Sequence, residues 1–277
     1  MKKKIGITFA VFNRCDFTMR CLESLFSNES KHELYVVVVD NGSTDKSVEM
    51  IKSRFPQVKI ISNRNNMGCS IAWNQGLKDC TDAGCDYLSL CQNDIILSKR
   101  SIDNCLDFLE ENEKFGIISP IAINYAWDSE VDLSQDELNS VSDKCMEKFG
   151  GNRDSPFCFY FFMMRPEIFE NIKFDEKFKK VFYEDCDFFY STCKDRIISA
   201  QVVDIGIVFH KHSATVSIAG EYLGGENNSA YFHKKWEDET ENISSGTSYI
   251  KKEAQANIVY KRINHGIDFL AEGLFEK

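Results

Sequence analysis

Leu34-Tyr35-Val36-Val37-Val38-Val39-Asp40-Asn41-Gly42-Ser43-Thr44-Asp45 is the stretch that decides the fold. A valine-rich run of strand length stops abruptly in an Asp-Asn-Gly-Ser turn signal, as expected of a buried strand that delivers polar groups at its carboxyl end. The same unit recurs on both sides. Upstream, Ile5 to Phe12 is a short apolar run that ends at Asn13-Arg14, and Asp16 to Ser27 sets Phe17, Cys21, Leu22 and Leu25 at helical spacing. Downstream, Ser43 or Thr44 can cap a helix carrying Val48, Ile51 and Phe55. Val58 to Ser62 then reads as a strand and Ile71 to Lys78 as a helix. Tyr87 to Cys91 is a strand that stops at Gln92-Asn93-Asp94, and Ser101 to Glu111 is a helix. Strands alternating with helices through short loops predict an α/β fold, a mostly parallel sheet flanked by helices. Ligands of such sheets collect at the carboxyl ends of the strands. Three strands here bring Asn13-Arg14, Asp40-Asn41 and Asn93-Asp94 to one rim.

The remainder reads less regularly. Asn124 to Asp154 is polar, a loop or mobile insert, and Phe157 to Met164 is dense enough in apolar residues for a central strand. Residues 216 to 247 are rich in Gly, Asn, Ser and Glu and read as a linker or loop. Tyr249 to Phe275 sets Ile250, Ala254, Ile258, Ile263, Ile267 and Leu270 at helical spacing. The expected organisation is a main α/β domain over 1–215, in two halves (1–100 and 101–215). Residues 216–277 follow as a linker and an amphipathic helical extension.

Composition narrows the function. The 277 residues carry a formal net charge of -10, which argues against a broad nucleic-acid interface while leaving room for a local phosphate pocket. The 11 cysteines are odd in number and irregular in spacing. They read as reduced thiols of a cytoplasmic protein rather than a disulfide scaffold. A metal cluster of Cys80, Cys85 and Cys91 fits no common zinc spacing. No run of about 18 apolar residues is present to span a membrane.

Four motif groups carry chemistry. Thr8-Phe9-Ala10-Val11-Phe12-Asn13-Arg14 precedes the Asp40-Asn41-Gly42-Ser43-Thr44-Asp45 turn. Asn66-Met67-Gly68 precedes Asn74-Gln75-Gly76, and Gln92-Asn93-Asp94 ends a strand. Phe174-Asp175-Glu176-Lys177-Phe178 precedes Tyr183-Glu184-Asp185-Cys186-Asp187-Phe188. In this order, over residues 4 to 236, the chain resembles the inverting glycosyltransferases of the GT-A fold often called family 2, and within them the rhamnosyltransferase-like members.

The resemblance implies roles. Thr8, Phe9, Asn13, Arg14, Asp40, Asn41 and Gly42 would hold the nucleotide, since a carboxylate such as Asp40 can accept from a base N–H or a ribose hydroxyl. Asn66, Gly68, Asn74 and Asn93 would lie beside the diphosphate and donor sugar. Asp94 is the last carboxylate of a reduced Asp-x-Asp motif and, with His210 of Phe209-His210-Lys211-His212, would bind Mn2+ or Mg2+. His212 is the alternative ligand. Lys235 of the Lys235-Trp236 pair would close over the diphosphate. Asp185 would be the base that takes the acceptor's proton in a single inverting displacement, with Glu184 and Asp187 tending to raise its pKa if close.

The expected activity is transfer of a sugar from a UDP- or dTDP-sugar to a hydroxyl acceptor, a glycan or lipid-linked glycan. Localisation would be cytoplasmic, with the C-terminal helix serving as a homodimer contact or a peripheral membrane contact. The alternatives are a GT-A module that binds nucleotide sugar or glycan without turnover, and transfer to an unusual acceptor such as a modified DNA base. Nucleotidyl transfer would need a glycine-rich loop, and Phe9 to Cys15 contains no glycine.

Overall fold

The computed structural model describes residues 1–124, 152–153, 157, 159–179, 181–210 and 225–239. Residues 125–151 and 154 of the insert expected from Asn124 to Asp154, the segment with Lys211 and His212, and the amphipathic helix over 249–275 lie outside the described residues. The strands are β1 (Lys4–Val11), β2 (Glu33–Asp40), β3 (Lys59–Ser62), β4 (Tyr87–Cys91), β5 (Ile95–Leu97), β6 (Ile117–Asn124), β7 (Asn152–Arg153), β8 (Phe161–Met164) and β9 (Ser199–His210). The helices are α1 (Cys15–Phe26), α2 (Ser47–Arg54), α3 (Cys69–Asp82), α4 (Ser101–Glu111), α5 (Pro166–Asn171), α6 (Glu184–Lys194) and α7 (Gly225–Trp236).

One sheet runs in the order β3-β2-β1-β4-β8-β6-β9-β5, with β7 added against β9. Its first four strands are parallel. β8 enters antiparallel between β4 and β6, so the apolar run before Met164 does occupy the middle of the sheet.

The period-2 alternation explains why both faces are covered. Ile5, Ile7, Phe9 and Val11 of β1 point to one face, where they join Met19, Leu22 and Leu25 of α1 and Ile102, Leu106 and Leu109 of α4. Val37, Leu88, Leu90 and Phe162 point to the other, against Trp73 and Leu77 of α3, Phe169 of α5 and Phe188 of α6. Complete burial of each such side chain contributes about 1.5–3 kcal/mol.

Gly76 fixes how closely α3 approaches the sheet. A Cβ there would lie 1.8 Å from Thr8 Oγ1, whose hydroxyl donates to the Val37 carbonyl at 2.9 Å. Gly76 therefore lies inside α3 as a packing residue rather than at its end.

Residues 225–236, within the stretch expected to be a linker, form helix α7. Phe232 and Trp236 bury with Phe178, and Tyr183, Tyr190 and Tyr231 pack around them. This tertiary burial outweighs a composition poor in helix formers. No helix among the described residues is long and apolar enough to cross a membrane.

Candidate functional site

The carboxyl ends of β1 and β2 meet in register, Val11 opposite Asp40. The chain leaves β1 through Asn13 and Arg14, both at φ 60. This left-handed pair turns the Asn13 side chain onto the next loop. Its Oδ1 accepts from the Thr44 N–H at 2.8 Å and the Asp45 N–H at 3.3 Å, while its own N–H donates to Ser43 Oγ at 2.8 Å. Gly42 takes φ 84, and a Cβ there would lie 3.1 Å from Asn65 Cα, so the turn requires glycine. Helix α2 starts later than Ser43 or Thr44 would set it. Its first amide, Ser47 N–H, donates to Asp45 Oδ1 at 2.9 Å.

Asp40 is buried, and its Oδ1 accepts from the Ser43 N–H at 3.0 Å. Asn41 donates to the Gly68 carbonyl at 3.2 Å and accepts from Asn63 Nδ2 at 3.0 Å, and Asn63 exchanges amide hydrogen bonds with Gln75. Asn63, one residue beyond β3, belongs to this rim although no motif points to it. Its position just after a strand was the available signal. Arg14 is held by its ion pair with Asp16 at 2.8 Å and lies over the Phe17 ring at 3.6 Å. The side chains of Thr8 and Phe9, expected at the nucleotide, are instead fully buried. Thr8 is bonded under α3, and Phe9 lies in the core. The strand must end before a side chain can face a ligand, which happens only at Asn13.

Asn41 leads to the start of α3. Gly68 stands before its first residue at φ 88, with no side chain capping the helix. Its first-turn amides lack intrahelical partners, the arrangement that receives anions at helix N-termini. Asn66 Oδ1 shapes the entry by accepting from the Gly68 N–H at 3.0 Å. Asn74 lies a turn further on and serves another purpose. Its amide brackets Phe174, donating to the carbonyl at 2.8 Å and accepting from the N–H at 3.0 Å, and it also donates to Glu176. Asn74 thus ties the 101–215 half to the 1–100 half.

Three distant segments converge on Cys69, the first residue of α3. Burial pushes its thiol pKa well above the usual range, and the nearby carboxylates of Glu184, Asp185 and Asp94 push it further. Asp94 precedes β5, whose Ile95 pairs with His210 at the end of β9. That register brings His210 Nε2 to 3.6 Å from Asp94 Oδ1, with both residues buried. The imidazole is stacked on Tyr160, with ring centroids 3.6 Å apart. Asn93 is buried and donates to Thr18 Oγ1 at 3.3 Å, so it braces the loop from below.

Among the described residues, no group of three His, Cys, Asp or Glu side chains stands ready for a metal. Cys80, Cys85, Cys91 and Cys21 are free thiols, with Cys80 hydrogen-bonded to Cys85 and Cys91 to Cys21. Asp94 and His210 are an oxygen and a nitrogen donor, a pair suited to Mn2+ or Mg2+ when diphosphate oxygens supply the remaining ligands.

Glu184, Asp185 and Asp187 occupy the first turn of α6, yet their environments differ. Asp185 is half-buried, and its Oδ1 accepts from the Cys186 N–H at 2.8 Å. Glu184 is buried, and its Oε2 has no hydrogen-bond partner among the described residues. Burial, with the neighbouring Asp185 charge, raises its pKa to about 8. Asp187 points away into the packing of α7. It accepts from Trp236 Nε1 at 2.9 Å and from Lys235 Nζ at 2.9 Å. Burial pushes its pKa up, and Lys235 and Trp236 draw it back only in part. Lys235 also reaches Asp175 at 2.8 Å. Desolvation pulls its pKa down, but the two carboxylates outweigh this and leave it raised. The cation expected over a diphosphate is therefore engaged by two carboxylates of the 174–187 segment.

The sequence family described as Glycosyl transferase family 2 matches residues 7–173. An uncharacterized glycosyltransferase of Haemophilus influenzae is 30% identical over 112 residues, covering 39% of this chain and 43% of that protein. A chondroitin synthase of Escherichia coli is 27% identical over 106 residues, covering 37% of this chain and 15% of that protein. The matches thus span less than half the length of these curated relatives. Among solved structures, TarS residues 1–349 of S. aureus, in complex with UDP, align with TM-score 0.56 and 15% identity over 92% of this chain and 74% of that one. GalNAc-T7 with UDP, GalNAc and Mn2+ aligns with TM-score 0.64 and 17% identity, over 99% of this chain and 54% of that one. At such identities the two structures speak for the fold, which is GT-A. On the extent of the sequence match, the chain belongs to glycosyl transferase family 2.

Proposed function

We propose that this chain transfers a sugar from a UDP- or dTDP-sugar to a hydroxyl of a glycan or lipid-linked glycan, with inversion, as a rhamnosyltransferase-like member of its family. The reading rests on the convergence at Cys69. A carboxylate-imidazole pair (Asp94 and His210) and a half-exposed carboxylate (Asp185) gather beside an uncapped helix start, next to the Asp40-Asn41 rim. In this reading the catalytic domain covers 1–215, and α7 is its first C-terminal addition.

Asp40, Asn13 and Asn41 receive the nucleoside. Asp40 Oδ2 carries no hydrogen bond among the described residues and accepts from the base or ribose. The amides at the start of α3 receive the diphosphate. Asp94 and His210 would hold a divalent cation, which supplies neutralisation of charge on the leaving diphosphate. Asp185 accepts the proton of the acceptor hydroxyl as that oxygen bonds to the anomeric carbon and the bond to the diphosphate oxygen breaks. Its carboxylate is bonded by the Cys186 N–H and by the Cys186 thiol, and it stays half-exposed, so an incoming hydroxyl can reach it. Structural neighbours support the donor class, through UDP bound to TarS and UDP with Mn2+ bound to GalNAc-T7.

Thermal unfolding with UDP and with dTDP, each with and without MnCl2, tests the nucleotide site. A bound nucleotide raises the midpoint by mass action. The expected result is a shift with one of them, enlarged by manganese in the wild type and not in Asp94→Ala. No shift with either nucleotide would sink the reading.

A further inference from the structure

The backbone that presents Asp185 is strained and held from a distance. Phe182 and Tyr183, immediately before Glu184, sit at φ 79 and φ 71. Two consecutive aromatic residues in the left-handed region are strained, and such a conformation persists only when its surroundings over-determine it. The holding group is Asn228 of α7, which is 3% exposed. Its Nδ2 donates to the carbonyls of Lys179 at 2.8 Å, Val181 at 3.0 Å and Phe182 at 3.0 Å. Its Oδ1 accepts from the Lys179 N–H at 3.1 Å. Two amide hydrogens serving three carbonyls means that one is shared, so the whole capacity of this side chain goes to a single turn.

Beyond the turn, Trp236 and Lys235 fix Asp187, and before it Tyr231 and Lys235 fix Asp175. The Tyr183 ring packs on Phe232, with centroids 5.4 Å apart. Helix α7 thus grips the segment on both sides of Asp185 without touching the Asp185 carboxylate.

We propose that Asn228 is a positioning residue for the acceptor-activating carboxylate: it locks the Lys179-to-Tyr183 turn so that Asp185 faces the reacting hydroxyl. The inference rests on the assignment of Asp185 as base. It makes α7 part of the catalytic apparatus rather than a trailing element. Misplacement of a reacting group by about 1 Å is worth on the order of 100-fold in rate.

The test measures nucleoside diphosphate release with MnCl2 from UDP-glucose, UDP-galactose, UDP-N-acetylglucosamine and dTDP-rhamnose. It compares wild type, Asn228→Ala, the milder Asn228→Ser, Asp185→Asn, and Asn228→Ala combined with Asp185→Asn. Amide hydrogen exchange over 181–187 is followed in each. The expected result for Asn228→Ala is a fall in kcat of about 10- to 100-fold with donor KM within about twofold. Asn228→Ser should fall between it and wild type. Exchange over 181–187 should quicken, and Asn228→Ala should cause no further loss in the Asp185→Asn background.

Unchanged exchange over 181–187 overturns the clamp whether or not a donor turns over. Unchanged kcat with quickened exchange overturns its catalytic relevance, as does a full additional loss on top of Asp185→Asn. If Asp185→Asn alone releases nucleotide at the wild-type rate, the base assignment fails and the inference falls with it. Should Asn228→Ala not fold, Asn228→Ser decides by the same criteria.

Discussion

The two sides of the site are built in opposite ways. The nucleotide rim is made where strands end: Asn13, Asp40, Asn41 and Asn63 each stand at or just beyond the last residue of a strand; backbone amides hold Asn13 and Asp40, and side-chain amides link Asn41, Asn63 and Gln75. The acceptor side is a loop and helix start laid over one sheet face through Phe174 and Phe188, outside the strands themselves. It is held by two asparagine brackets, Asn74 on Phe174 and Asn228 on the 179–182 turn, and by the ion pairs of Lys235. A rim of the first kind is fixed once the sheet forms. A platform of the second kind depends on single side chains, so single substitutions should disturb it far more.

Lys235→Met sharpens that contrast most. It leaves the Asp187 carboxylate, 1% exposed, with Trp236 but without its cation. Removing one partner of such a pair costs about 3 kcal/mol or more. Urea unfolding should show this loss with little change in slope. A loss below about 0.5 kcal/mol would mean that the pair does not hold the acceptor side.

Glu184→Gln works in the other direction. In the folded chain the Glu184 carboxyl keeps its proton up to about pH 8, whereas the unfolded chain releases it near 4.5. The folded state therefore binds more protons between those values, and wild-type stability falls as pH rises through this window. Glutamine removes that slope and should stabilise by up to about 3 kcal/mol at pH 7, and by little at pH 4. Parallel stability–pH curves for the two proteins would contradict the desolvation of Glu184.

The smallest effect is expected on the rim. Asp40→Asn keeps an acceptor for the Ser43 N–H but loses the charge facing the nucleoside. UDP or dTDP should bind about tenfold more weakly, near 1.4 kcal/mol, with an almost unchanged midpoint. A large loss of stability here would erase the distinction between the two sides.

The same contrast explains what could be read in the sequence. The β1-to-β4 half was legible because each strand run and its polar terminus are contiguous, so period and turn chemistry placed Asp40, Asn41 and Asp94 directly. Thr8 and Phe9 were drawn into the expected site by motif adjacency alone. Strand alternation sends one under α3 and the other into the core.

On the acceptor side the informative partners are far apart in sequence. Asn228 acts on carbonyls 46 to 49 residues earlier, and Asn74 on Phe174, 100 residues later. No local pattern carries such pairings. Helix α7 itself was hidden by its Gly, Asn and Ser content, since the helix rests on Phe232 and Trp236 finding Phe178. The Lys235-Trp236 pair is legible in the sequence, but its carboxylate partners, Asp175 and Asp187, lie 60 and 48 residues before Lys235.

The most direct test of the central claim is nucleoside diphosphate release by Asp185→Asn, measured beside its thermal shift with the same nucleotide. Loss of a general base should lower release about 10²- to 10⁴-fold while leaving the nucleotide shift intact. Release at the wild-type rate would contradict Asp185 as the group that activates the acceptor.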